Sequence, residues 1–103
     1  MWAQLMEMRV KSGREQEVPS LLDQVQAIEA PESGLLQTLA MRDQNDPSRV
    51  FVLVVFESEE KARAREQDPQ RQQAMKPAQA LMAELFDGPP EFVDLDVIRQ
   101  VSN

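Results

Sequence analysis

Arg65 and Arg71 are the side chains of this sequence best suited to chemistry. They sit in a stretch that also holds Lys61, Arg63 and Lys76, locally basic within a chain of formal charge −7. A guanidinium stays charged throughout the physiological pH range and presents a rigid fork of donors. That suits it to holding a carboxylate, phenolate or enolate. The alternative is a solvated helix face paired with neighbouring Glu and Asp, where most such charges do little. The apolar partners available to such a site are Trp2, Met6, Met8 and Met75. An indole can stack a flat ligand, and flexible thioethers line adaptable pockets. The same residues also make ordinary core or interface, as do Met41 and Met82.

Other chemistries are excluded by what is missing. The chain has no Cys, His or Tyr. Disulfides, thiolate metal sites and thiol nucleophiles are therefore impossible. No imidazole is present to act as general base, triad member or haem ligand. Ser has no common base to activate it, and Gly13, Gly34 and Gly88 are isolated, so there is no phosphate-cradling loop. Asp94 and Asp96 would lie about 7 Å apart on one strand face, at ~3.4 Å rise per residue. Paired carboxylates can do acid/base work or bind a hard cation, but two are too few for a strong metal site, and negative charges on an edge strand more often block aggregation. No metal site and no cofactor site is expected. The negative charge disfavours nucleic acid. No apolar run reaches membrane-spanning length, and Met1-Trp2-Ala3-Gln4 lacks the start of a signal peptide. The expectation is a soluble, cytoplasmic protein.

The elements that must position these residues follow from periodicity. At 103 residues the chain fits one domain, 1–103. Residues 2–10 alternate, placing Trp2, Gln4, Met6, Met8 and Val10 on one strand face. Val18, Leu21, Leu22, Val25 and Ile28 form the apolar stripe of a helix. Pro19 either opens that helix or kinks an earlier turn. Leu35 to Arg42 reads as a second strand, and the run Val50–Phe56 as a third, buried on both faces and paired with the second in a hairpin. Ser58 and Asp68-Pro69 are helix starts. Pro77 predicts a kink in the stripe Ala74, Met75, Ala78, Leu81, Met82, Leu85. Residues 92–99 alternate as an edge strand.

The order is β-α-β-β-α-β, an α+β, ferredoxin-like arrangement with an antiparallel sheet. Its helices cover only one face of the sheet. The other face, with Phe51, Leu53 and Val55, would leave a large apolar patch. A homodimer formed through that face is expected.

The succession Arg9-Val10-Lys11-Ser12-Gly13-Arg14-Glu15-Gln16-Glu17, Gly34, Asp46-Pro47-Ser48-Arg49, Phe56-Glu57-Ser58-Glu59-Glu60 and Gly88-Pro89-Pro90 resembles the antibiotic biosynthesis monooxygenase domain. The resemblance spans nearly the whole chain and implies a dimeric α+β barrel. It implies activities such as cofactor-free oxygenation of aromatic polyketides, haem degradation or isomerisation of small molecules. It also implies a pocket between sheet and helices, lined here by one face of residues 2–10, by Phe56 and by the 69–86 helix. The chain departs from the pattern in having Phe56 where members usually carry Trp, and in lacking the His of the following helix. The haem-degrading branch resembles an Asn, Trp and His set, whereas the first strand here offers Gln4, Met6 and Met8. The expectation is a protein that binds a hydrophobic small molecule and oxygenates an aromatic or quinol-type compound without cofactor. Arg65 or Arg71 would steady the substrate anion, and Trp2, Met6, Met8, Phe56 and Met75 would enclose it. The alternative is a non-catalytic ligand-binding or scaffold dimer of the same fold.

Overall fold

The third strand, β3 (Arg49–Phe56), shows how the sheet is loaded. In the computed structural model, which describes residues 1–103, Val50, Val52, Val54 and Phe56 are buried while Phe51, Leu53 and Val55 are only partly so. Successive side chains of a strand point to opposite faces, so one face of β3 is packed and the other is open. β1 (Trp2–Arg9) runs antiparallel beside it, with Trp2 opposite Phe56, Met6 opposite Val52 and Met8 opposite Val50. β2 (Leu35–Arg42) and β4 (Glu91–Asp96) form the edges, giving the order β2-β3-β1-β4. The fold is α+β and ferredoxin-like.

The helices pack on the Val50–Phe56 side. A 3₁₀ turn at Glu15–Glu17 leads into α1 (Val18–Ala27), with Pro19 in its first turn, where a missing N–H costs nothing. Val18 and Leu21 of its stripe are buried. Burying Leu21 contributes roughly 1.5–3 kcal/mol. α2 (Glu59–Gln67) is capped by Ser58, whose hydroxyl accepts from the Lys61 N–H at 3.2 Å. Asp68 ends α2 and caps α3 (Pro69–Ala74), accepting from the Gln70 N–H at 3.0 Å.

The kink expected at Pro77 is a full break instead. α3 stops at Ala74, and α4 (Lys76–Leu85) starts afresh with Pro77 in its first turn. Proline offers no N–H and its ring clashes with the carbonyl a turn earlier. Restarting the helix at Lys76 avoids both. Two other expectations are corrected. β3 is not buried on both faces, because no helix reaches Phe51, Leu53 or Val55. β4 ends at Asp96 rather than at residue 99, because its partner strand runs out: Asp96 pairs with Trp2, and Val97 N–H donates to the Met1 carbonyl at 3.3 Å.

The core joins Trp2, Phe56, Val10, Leu21, Leu85 and Phe86 in one cluster, with Met6, Met8 and Met75 packed against it. On the open face, Leu39 and Met41 lie opposite Leu53 and Phe51, and Val93 and Leu95 lie opposite Leu5 and Ala3 of β1; these four edge-strand residues are exposed. Arg49 closes one end of this face, donating to Glu7 at 2.6 Å and lying 4.8 Å from the Phe51 ring. No helix is long and apolar enough to cross a membrane.

Candidate functional site

Local sequence brings the two arginines to one cleft. The Ser58 cap sets the phase of α2 and so turns Arg65 inward over the end of β3, with its guanidinium 5.1 Å from the Phe56 ring centre. The Asp68-Pro69 break then redirects the chain, and α3 presents Arg71 to the same space. From the other side comes Glu29, just past the C-terminus of α1. Arg65 grips it with both ends of its fork, Nε to Oε2 at 2.8 Å and Nη2 to Oε1 at 2.6 Å. Arg71 Nη1 donates to the same Oε1 at 3.4 Å, its one hydrogen bond within the protein. All three side chains are largely buried, at 12–15% exposure.

The electrostatics follow from this geometry. Burial opposes ionisation of Glu29, but bonding to Arg65 and Ser33 and the two positive charges outweigh it, holding the carboxyl below its ordinary range. Burial is also the main influence on Arg71 and, with the charge of Arg65, lowers its guanidinium from the usual value; Glu29 and Asp68 oppose the shift. The guanidinium stays a cation at neutral pH. No buried side-chain nitrogen or oxygen lacks a partner. The unused donors of Arg71 are therefore not sealed from solvent, and Arg71 lines a cleft of about 460 Å³ that has Ile28, Ala64 and Ala74 among its apolar lining.

The other residues singled out from sequence lie elsewhere. Trp2 and Phe56 pack against each other in the core, ring centres 6.2 Å apart. Arg63 covers Trp2 at 5.1 Å and is tied to Glu59 and Asp94, at 3.2 and 3.0 Å. Met6 and Met75 pack on the core. Met8 lines a second cavity of about 360 Å³ with Met82, Phe86 and the Gly88-Pro89-Pro90 loop. The two cavities share no residue. The single pocket expected to unite Arg65 and Arg71 with Trp2, Met6, Met8, Phe56 and Met75 is thus divided, because the Trp2 and Phe56 rings are part of the packed interior. The Asp94 carboxylate accepts from Gln4 at 2.9 Å as well as from Arg63, and no cluster of acidic residues is arranged to hold a metal ion. Glu29 was not singled out from sequence. An acid in a loop after a helix carries no periodic signal, and its partners lie 36 and 42 residues away.

The fold, the restart at Asp68-Pro69 and the paired arginines can be set beside known proteins. Residues 1–77 match the antibiotic biosynthesis monooxygenase family. The chain belongs to that family. No curated protein matches the sequence. Among solved structures, a variant of SnoaB, a cofactor-independent oxygenase from Streptomyces nogalater, is similar with a TM-score of 0.78 at 14% identity, covering 99% of this chain and 97% of that one. A proposed antibiotic biosynthesis monooxygenase from Chloroflexus aurantiacus gives 0.73 at 21% identity, covering 98% and 96%. Another from Bordetella bronchiseptica gives 0.74 at 20%, covering 95% and 97%. At these identities the likeness establishes the shared monooxygenase-family fold.

Proposed function

We propose that this chain is a cofactor-independent monooxygenase that binds an aromatic or quinol-type compound as its anion in the Glu29–Arg65–Arg71 cleft. One observation carries the reading: Arg71 is largely buried, keeps a single 3.4 Å bond, and faces a cleft of about 460 Å³. A cation placed so stabilises negative charge on a bound oxygen far more than it would in water.

The reaction must draw its electrons from the substrate. An activated ring methylene and dioxygen give a ring ketone and water, CH₂ + O₂ → C=O + H₂O. The substrate first loses a proton, and the resulting enolate is held by Arg71. Arg65 is a positioning residue, because its fork is already engaged by Glu29. Glu29 itself is held ionised by two guanidiniums and is a poor proton acceptor. The proton therefore leaves to water, favoured by the acidity that Arg71 lends the substrate. Trp2, Met6, Phe56 and Met75 form the apolar core behind the site, and Met8 the second cavity.

The weak basicity of Glu29 favours a second reading, a ligand-binding dimer without catalysis. Oxygen uptake with an anthrone-type substrate separates the two. The proposal expects uptake that falls about tenfold or more in Arg71→Ala, the size of one lost charge-assisted contact. Ligand binding with no uptake would leave the non-catalytic reading.

In either case the protein works as a homodimer closed through the open sheet face. Covering Phe51, Leu53, Leu39 and Val93 with a second copy removes the patch from water. Light scattering of the wild type at micromolar concentration gives a dimer; a monomer there contradicts it. Leu53→Asp gives a monomer.

A further inference from the structure

We infer that the cleft is selective for charge: it takes a ligand with a single negative charge on an apolar body, and Glu29 sets that number. The inference rests on the cleft assigned above and adds the class of ligand. Its inner charges are the guanidiniums of Arg65 and Arg71 against the carboxylate of Glu29, all at 12–15% exposure, which leaves one positive charge in excess. Arg65 uses its fork on Glu29, at 2.6 and 2.8 Å, so the excess resides on Arg71. A largely buried charge is costly unless paired, and a monoanion supplies a partner for the unused donors of Arg71.

The rim argues against a second negative charge. It carries Glu32, Lys61 and Asp68. Lys61 is engaged by Glu57, and the Asp68 carboxylate caps α3. Glu32 and Lys61 are exposed and better screened than the inner charges, whereas Asp68 is half-buried and its carboxylate already acts on Arg71. The three sum to a negative charge, so a second negative charge on a ligand is repelled. Ile28, Ala64 and Ala74 offer apolar surface for the body of the ligand. Without Glu29 the same cleft would hold two uncompensated guanidiniums and suit a doubly charged group.

The experiment compares probes that share one apolar body: 1-naphthoate, neutral 1-naphthamide, and 1-naphthyl phosphate, a dianion at about pH 8. Binding is read by calorimetry on the wild type, Glu29→Gln and Arg71→Gln, with far-UV circular dichroism as a check of folding. The wild type is expected to bind 1-naphthoate about tenfold tighter than either other probe, one charge-assisted contact being worth that much. In Glu29→Gln the naphthyl phosphate gains about a hundredfold relative to naphthoate and overtakes it, because one carboxylate repulsion is removed and a second guanidinium is freed, each worth about tenfold. In Arg71→Gln naphthoate falls to the level of naphthamide.

A wild type that prefers the dianion overturns the inference, as does an unchanged ranking in folded Glu29→Gln. So does an Arg71→Gln protein that still prefers naphthoate. If Glu29→Gln does not fold, the wild-type ranking and Arg71→Gln decide, since Arg71→Gln keeps the Glu29–Arg65 pair. None of the probes is an oxygenase substrate. Loss of oxygen uptake with the ranking intact removes the monooxygenase reading alone, and uptake with a flat ranking removes charge selectivity alone.

Discussion

The two cavities differ in how their walls are held. The cleft at the C-terminal end of α1 is organised by charge, with Arg65 and Arg71 converging on Glu29. The pocket between β1 and α4 is organised by shape, with Met8, Met82, Phe86 and a diproline loop and no charged side chain. A charged wall that is incompletely paired keeps a capacity to bind. An apolar wall that is well packed contributes stability. The comparison teaches that binding and stability are divided between regions of this protein, and that substitutions should separate them.

The largest effect is expected in the apolar pocket. Phe86 is 7% exposed and sits in the core cluster. Phe86→Ala should cost about 3–5 kcal/mol of stability by thermal or urea unfolding, through lost burial and the cavity left behind. Naphthoate affinity of the folded fraction should not change. Next is Arg65→Ala, which leaves Glu29 with Ser33 and the 3.4 Å contact from Arg71. It should lower stability by about 1–3 kcal/mol, the cost of a poorly satisfied buried group. Arg71→Gln should reverse the pattern, leaving stability within about 1 kcal/mol while reducing naphthoate affinity about tenfold.

Acid sharpens the same contrast. The Glu29 carboxyl lies below its ordinary range in the folded chain, so its contribution to stability is fully present above that range. It is lost as pH falls through the depressed folded value. Unfolding measured downward from about pH 5 should show the wild type losing stability that Glu29→Gln never had, since glutamine does not titrate. The smallest effect is expected for Met82→Leu in the apolar pocket. A volume-conserving swap should cost less than about 1.5 kcal/mol and leave naphthoate binding untouched.

Much of the fold was legible in the sequence, and the reason is periodicity. The alternation of residues 2–10 and the apolar run at Val50–Phe56 placed the two central strands, and the Val18–Ile28 stripe placed α1. The open face was legible too, because apolar residues on both sides of β3 exceed what helices on one side can cover. The break at Lys76 was harder to read, since proline at a first turn and proline at a kink leave the same local mark. Arg65 and Arg71 were legible as a basic segment. Their meeting with Glu29 was not, because it joins the end of α1 to α2 and α3 across 36 and 42 residues without a shared period. Nor could alternation tell that Trp2 and Phe56 would pack into the interior and separate Met8 from the arginines.

The claim that ligand binds at Arg71 can be tested on the arginine itself. In ¹⁵N-labelled protein, the Nε–Hε resonances of Arg71 and Arg65 and the methyl resonances of Met8 and Met82 report on the two cavities in one titration with 1-naphthoate. The account predicts a saturable shift of the Arg71 Nε–Hε signal, with the Met8 and Met82 methyls unmoved. Shifts of those methyls with the Arg71 signal unmoved would contradict it.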